Sequence, residues 1–479
     1  MKRALILAPV LLAGCSLGPQ HPTSDVALPP PTAPAVIAPV AGAAQTIVPG
    51  AAVRADWWRD FGSPALDALV DRALKANNDL ATADASLRQA QEQARATAGG
   101  ALPQLDASFQ SQRLKTSETL ANPLPDPSQY LYSLHTAQLS VSYSPDLFGQ
   151  GRSKLRSARA ASEVAANRLA AAHNTVVSNL VNAVIQQASL AAQIDAAQTS
   201  IATNRDVLGL LRTRQQLGDI GAADVAAQQT LLATAEGALP PLMRQRDHQS
   251  SQISILVGAA PGTALPTLPT LAELSLPATL PVSLPAAIVA NRPDVRAAEA
   301  QMRGAGADVG TAIAARLPAI NLSANVGGEA TRIGDLFASG NPFWALIGGV
   351  SQPLFHGGAL KHQQKAAEAA LDGAKAQYRA SVLQAFGDVG DALSGLKSDA
   401  DALDAASRAN DAASQNLLFT RRQLALGGVG TLGLLNASSA AAQASSQLVQ
   451  ARAARLSDSV ALFQALGGGV IDTAEPRAR

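Results

Sequence analysis

The sequence predicts an α+β membrane protein, internally duplicated, in which each half joins a β-hairpin to long helices. Three observations predict it. Landmarks recur in the same order. Asp79 to Ser108 aligns without a gap with Asp294 to Ser323, so Leu102-Pro103 falls on Leu317-Pro318. Leu147-Phe148 then matches Leu354-Phe355, Leu217–Gly221 matches Leu426–Gly430, and Leu256-Val257-Gly258 matches Ala465-Leu466-Gly467. Short segments before each Leu-Phe landmark alternate apolar and uncharged polar residues, the period of a strand. Gly151 to about Gln216 then carries a helical pattern of roughly 65 residues without proline, on the order of 100 Å at 1.5 Å per residue.

Composition agrees. Aromatic residues make up only 3 % of the 479 residues, and the 47 % hydrophobic share is dominated by alanine. Small side chains let helices approach closely, so long packed helices are expected rather than a bulky core. The net charge of +1 gives no sign of a nucleic-acid partner. The single Cys excludes an intrachain disulfide or a cysteine-based zinc site.

In order along the chain, residues 1–14 read as a signal peptide: Lys2 and Arg3 precede an apolar run too short to span a bilayer. Leu12-Ala13-Gly14-Cys15 resembles a bacterial lipobox, which implies cleavage before Cys15 and lipidation there. Several acyl chains would hold the protein durably on a membrane, and Ser16 after the Cys resembles an outer-membrane address. Residues 15–56, rich in Pro and Ala, read as an extended tether without helical or strand period. The first repeat spans 57–262. Ser63-Pro64 starts a helix; Asn77-Asn78 breaks it before a second that ends near Gly99. A hairpin at about 104–144 follows, with Leu105, Ala107 and Phe109 in one strand and Ala137, Leu139, Val141 and Tyr143 in the other. In the long helix, Leu169, Val176, Ala183, Leu190 and Ala197 fall seven apart, with Leu180, Ile194, Ile201 and Leu208 at the companion position, a left-handed coiled-coil seam. Pro240-Pro241 marks a break or kink in the returning helix. Residues 263–281 read as a proline-rich linker, 282–467 as the second repeat with a hairpin at about 319–354, and 468–479 as a flexible tail.

The strands, about ten residues long with one apolar face, have the pattern of a transmembrane β-barrel, and Tyr130, Tyr132, Tyr143, Phe148, Phe343, Trp344 and Phe355 cluster at their ends as interfacial rings do. Two surface hairpins of a soluble sheet would share the alternation. Four strands cannot close a barrel, and unpaired backbone groups in hydrocarbon cost several kcal/mol each. Two copies would reach eight strands and three would reach twelve.

The chain resembles the TolC-like outer-membrane efflux factors, in their lipidated NodT-type branch. The residues that carry the resemblance are Leu12–Cys15, Asp56-Trp57-Trp58 with Phe61, Asn77-Asn78-Asp79-Leu80, Leu102-Pro103, Asp146-Leu147-Phe148-Gly149, Arg292-Pro293-Asp294-Val295 with Glu299, and Pro353-Leu354-Phe355. It implies a homotrimer with four strands per chain in a shared twelve-stranded barrel in the outer membrane, and a long α-helical barrel in the periplasm. It also implies docking onto a periplasmic adaptor and an inner-membrane resistance–nodulation–division pump, with drugs or small toxic compounds passing outward. Apart from the lipid on Cys15, no cofactor is expected. An exit duct for protein secretion and a helical structural lipoprotein without a pore are the alternatives.

The turns at Leu217–Gly221 and Leu426–Gly430 lie farthest from the expected membrane strands, where a resting channel must close. Arg212, Arg214, Asp219, Asp224, Arg421 and Arg422 are the candidate gate and adaptor-docking residues, through inter-helix ion pairs that the adaptor would exchange; a solvated helix end with arginine at the C-terminal dipole is the plainer reading. Gly428–Gly433 matches G-x-G-x-x-G but follows a helix instead of a strand, so a turn is expected. Ser394–Lys397 matches S-x-x-K without its companion motifs, and His356 and His362 lack a metal spacing. No catalytic constellation emerges.

Overall fold

The computed structural model describes residues 45–117, 130–282, 291–426 and 428–469, together with Pro19, Val36, Ile37 and Val289. Its elements are β1 (Val36–Ile37), β2 (Gln45–Pro49), α1 (Pro64–Ala76), α2 (Asn78–Gly99), β3 (Gln104–Lys115), β4 (Leu131–Tyr143), α3 (Gln150–Gln216), α4 (Ala222–Leu256), β5 (Thr279–Val282), α5 (Pro293–Ala314), β6 (Ala319–Ala330), β7 (Pro342–Ser351), α6 (Ala359–Ala425) and α7 (Thr431–Ala465). The signal peptide, Cys15, residues 118–129 of the first hairpin loop, Gly427 and residues 470–479 lie outside the described residues.

Five elements of the first half, α2, β3, β4, α3 and α4, recur in the same order in the second as α5, β6, β7, α6 and α7. A shift of 209 positions carries α3 onto α6 and α4 onto α7, and a shift of 215 carries α2 onto α5 and β3 onto β6, end to end. The Leu-Phe landmarks of the sequence are 207 apart, two residues out of step, because the strand-to-helix turns differ in composition while the flanking helices keep register.

The chain forms two compact units, and neither follows one repeat. One includes Leu87–Ala165 and Ala298–Tyr378; the other includes Asp25–Ser86, Ala166–Ala297 and Arg379–Arg479. In the first unit the four long strands make one antiparallel sheet in the order β3-β4-β6-β7. Alternation sorts its faces. Leu105, Val141, Ala324 and Leu346 form one row across all four strands, and Ala107, Leu139, Val326 and Trp344 the next. On the opposite face the rows read Gln104, Ser142, Ser323, Ile347 and Asp106, Ser140, Asn325, Ala345. Beside the sheet, Met302 and Val309 of α5 pack with Leu371 of α6.

The second unit holds the larger core. In α3, Leu169, Val176, Leu180, Ala183, Ile194, Ile201 and Leu208 of the predicted seam are buried, while its Leu190 and Ala197 are only half-buried. Ser63 caps α1 by accepting the Leu66 N–H, with Pro64 at the first position. Trp57 stacks on Phe463 of α7, ring centroids 5.0 Å apart.

Four expectations are corrected. The stretch read as an unstructured tether contains β1 and β2, and β2 pairs in parallel with β5 at the end of the expected linker. The partners are more than 200 residues apart, so the signal is non-local pairing and not local period. Pro240-Pro241 does not break α4; the prolines and the carbonyl-bearing residues Glu236 and Gly237 are exposed, so the freed acceptors face solvent. Gly468 and Gly469, assigned to the tail, pack against Asn174 and Arg54, since the Gly468 N–H closes α7 by donating to Phe463. Tyr130, expected as an interfacial ring, is buried, and its carbonyl accepts from Thr116 across the base of the loop.

Candidate functional site

Two regions carry the features a transport role needs. The first is the sheet. In a single copy its apolar face lies open: Leu105 is 69 % exposed, Phe109 59 %, Trp344 78 % and Val350 72 %. A contiguous apolar face of this kind marks an interaction with membrane or partner. Among the described residues, the outer edges of β3 and β7 pair with no strand. At the sheet's exit into α3, Asp146 accepts from the Arg152 backbone N–H at 2.8 Å and from its guanidinium at 3.3 Å. Burial pushes this carboxyl up, but the N–H groups of Arg152 and Gly151 and the guanidinium hold it below the usual carboxylate range. It thereby fixes the start of the 67-residue helix.

The second region is the pair of helix turns. Gly218, at φ +83°, closes α3: Gly218 N–H donates to Gln215 and Asp219 N–H to Arg214. At the other turn Gly428 N–H donates to Gln423. Val207, Leu208 and Leu211 of α3, Val225 of α4, Leu424 of α6 and Leu434 of α7 form one small core, which brings both turns together. Leu217, Leu426 and Leu432 remain exposed beside it. Of the six charged candidates, Arg214 is half-buried and donates to the Leu424 carbonyl at 3.1 Å, tying one turn to the other. Arg212, Asp219, Arg421 and Arg422 are exposed, and Asp224 stands in the first turn of α4. Among the described residues none of the six is ion-paired within the chain. Gly430 is the N-cap of α7 and follows α6, so the G-x-G-x-x-G match is a helix turn. Ser394 to Lys397 lies within α6.

Two charged clusters of the second unit went unassigned in the sequence. Arg292 donates to Asp294 (2.7 Å), Asp388 (2.8 Å) and the Ala465 carbonyl (2.9 Å), joining α5, α6 and α7. Asp399 of α6 and Asp458 of α7 face each other beside nearly buried Arg455, whose guanidinium donates to the Leu396 carbonyl. Burial and the Asp399 charge push Asp458 up to about 6, more than Arg455 offsets. With its folded value raised above 3.8, Asp458 contributes stability that is complete below 3.8 and lost as pH rises through about 6. The native chain is therefore expected to lose thermal stability between pH 4 and 6, and Asp458→Asn to flatten that fall and to be the more stable of the two at pH 7.5. The gain is roughly 1 kcal/mol, after allowance for the half-exposed position. Parallel melting curves for the two proteins across that range would sink the assignment.

With these features in place, comparison with known proteins is decisive. The sequence profile of the outer membrane efflux protein family matches residues 69–259 and 284–468. This chain belongs to that family. The pyoverdine export outer membrane protein OpmQ of Pseudomonas putida is 32 % identical over 450 residues, 92 % of this chain and 94 % of that one. The toluene efflux pump outer membrane protein TtgF, also of Pseudomonas putida, is 28 % identical, covering 96 % and 95 %. Among solved structures, the outer-membrane channel OprN superposes with a TM-score of 0.84 at 24 % identity, over 95 % of this chain and 99 % of that one. The open-state MtrE channel of Neisseria gonorrhoeae gives 0.82 at 25 % identity, over 95 % and 98 %. An efflux protein of this family resides in the outer membrane, and the family consists of transport channels rather than enzymes. Although no described helix is long and apolar enough to cross a membrane, the open apolar face of the sheet is the surface such a location requires.

Proposed function

We propose that three copies of this chain form a passive efflux duct in the outer membrane, in which each copy gives four strands to a shared twelve-stranded barrel. The observation that carries the reading is the four-stranded sheet with two open edges and one apolar face. In hydrocarbon its edges must be paired, and only other copies can pair them. Twelve strands leave room for an aqueous passage that eight would fill with side chains. The recurrence of five elements in the same order in both halves supports a duplicated unit. Small toxic compounds or drugs are the proposed cargo, as for the relatives named for toluene and antibiotic export. Lipid on Cys15 would anchor the chain further.

The helix turns form the proposed gate and the contact for a periplasmic adaptor and its inner-membrane pump of the resistance–nodulation–division type. The exposed leucines beside both turns support a partner there, and unpaired Arg421 and Arg422 are available for contacts between copies. Full-length protein in mild detergent is expected to run as a heat-labile trimer and to give single-channel conductance in a planar bilayer. A stable monomer without conductance would overturn the duct. Arg421→Ala/Arg422→Ala is expected to raise conductance severalfold by loosening the closed turns; unchanged conductance would remove these arginines from the gate.

A further inference from the structure

We propose that the open edges of the sheet meet between copies in one register, with Ser351 and Val350 of one copy opposite Ser108 and Phe109 of the next. The inference rests on the shared barrel proposed above and adds what that reading leaves open, namely which residues face each other.

The register follows from the repeat. The shifts of 215 and 209 positions that superpose the helices also superpose the two hairpins without slip. They carry the pair Ser108–Gln138 onto Ser323–Ile347, a pair present in the sheet. The junction of β4 with β6 joins the last strand of one repeat to the first strand of the next, within one copy. The junction of β7 with β3 of the neighbouring copy joins the same two ends. Giving the equivalent junctions equivalent registers shares the fixed stagger of a closed barrel evenly among them. The same shifts applied to the observed pairs Ser142–Ser323 and Val141–Ala324 yield Ser351–Ser108 and Val350–Phe109. Continued outward, they place Leu346 opposite Arg113 and Trp344 opposite Lys115.

The chemistry of the facing residues agrees. Polar Ser351 meets polar Ser108, while apolar Val350 covers the exposed ring of Phe109. Trp344, the most exposed of the ring-bearing strand residues, gains an ammonium group over its face, a favourable pairing at a membrane boundary. A slip of one residue would turn every side chain of β3 to the wrong face. Slips of two keep the faces but set Ser351 against Asp106 or Gln110, so these are the competing registers.

Paired cysteines in the full-length chain test it. β3 and β7 are three strand spacings apart within one copy, about 14 Å, too far for an internal disulfide. Two adjacent in-register variants are needed, Ser108→Cys/Ser351→Cys and Phe109→Cys/Val350→Cys, because side chains approach more closely in alternate pairs. The shifted variants are Asp106→Cys/Ser351→Cys and Gln110→Cys/Ser351→Cys, and the native chain with Cys15 alone is the blank. At least one in-register variant is expected to give covalent trimers on non-reducing gels, about tenfold above both shifted variants. Preferential linking of a shifted variant overturns the register. So does the absence of any disulfide ladder while an amine-reactive cross-linker still captures trimers, and in both cases the shared barrel stands. Monomers with both reagents would mean that the shared barrel itself has failed, and the register with it.

Discussion

Replacing Arg292 by alanine is expected to destabilise the helical part of the protein by about 3 kcal/mol, the lower end of what breaking a buried charge network costs. The guanidinium side chain is only 9 % exposed and serves three acceptors at once: Asp294 beside the start of α5, Asp388 in α6 and the Ala465 carbonyl at the end of α7. Its removal leaves the last of these without a donor and sets two carboxylates near each other without their common cation. Burial pushes Asp294 up, but its bonds to Arg292 hold it below the usual carboxylate range in the native protein; in the variant that support is gone. The carboxylates are partly exposed, which keeps the cost from the top of the range. Lysine restores the charge without the planar fork and should recover less than half of the loss. Thermal unfolding followed by helical circular dichroism, on full-length protein in detergent, gives the measurement. Alanine and lysine variants that both melt with the native chain would show that the three helices are held together by something other than Arg292.

The parts of this fold that were legible in the sequence are those set by local pattern. The period of two in Leu105, Ala107 and Phe109 marked β3, and the seven-residue spacing from Leu169 to Ala183 marked the buried stripe of α3. Helix turns were legible because glycine adopts the positive φ of Gly218 without the Cβ penalty that most other residues incur. The short sheet β1-β2-β5 was hidden because its strands have no period of their own. Gln45 is fully buried there, and its amide donates to the Pro277 carbonyl and the Ser459 hydroxyl, partners that no local window contains. The charged clusters were hidden for the same reason: Arg292 and Asp388 lie 96 residues apart. Among the gate candidates, charge near a turn was legible, but the one contact found uses the Arg214 guanidinium on a backbone carbonyl, which residue type alone does not reveal. Arg212, Asp219, Arg421 and Arg422 face outward from the single copy, where pairing depends on neighbours.

Gly258→Ala is expected to lower stability by about 3 kcal/mol, combining a left-handed backbone with overpacking. Gly258 has φ +72°, and an added Cβ would overlap the Ala76 carbonyl. That carbonyl cannot retreat. The next residue, Asn77, accepts from the Asp79 and Leu80 N–H groups at 2.8 and 3.1 Å and donates to the Leu256 carbonyl at 3.0 Å, so it caps α2 and holds the end of α4 together. Moving Ala76 aside would break the cap that sets where α1 ends and α2 begins. Gly467 offers a matched comparison, since the 209-position shift carries Gly258 onto it. Its φ is +94°, but an added Cβ there meets only Arg292 and the Asn291 carbonyl, at 3.4 Å or more, ordinary contact. Gly467→Ala should therefore cost only the conformational part, roughly 1 kcal/mol. The Gly258 variant is expected to lose more than the Gly467 variant although Gly467 lies farther from the left-handed region allowed to alanine, so a larger loss at Gly258 reports the steric contribution of the Asn77 junction. Equal losses at the two glycines would mean that the junction gives way freely and that Asn77 does not pin it.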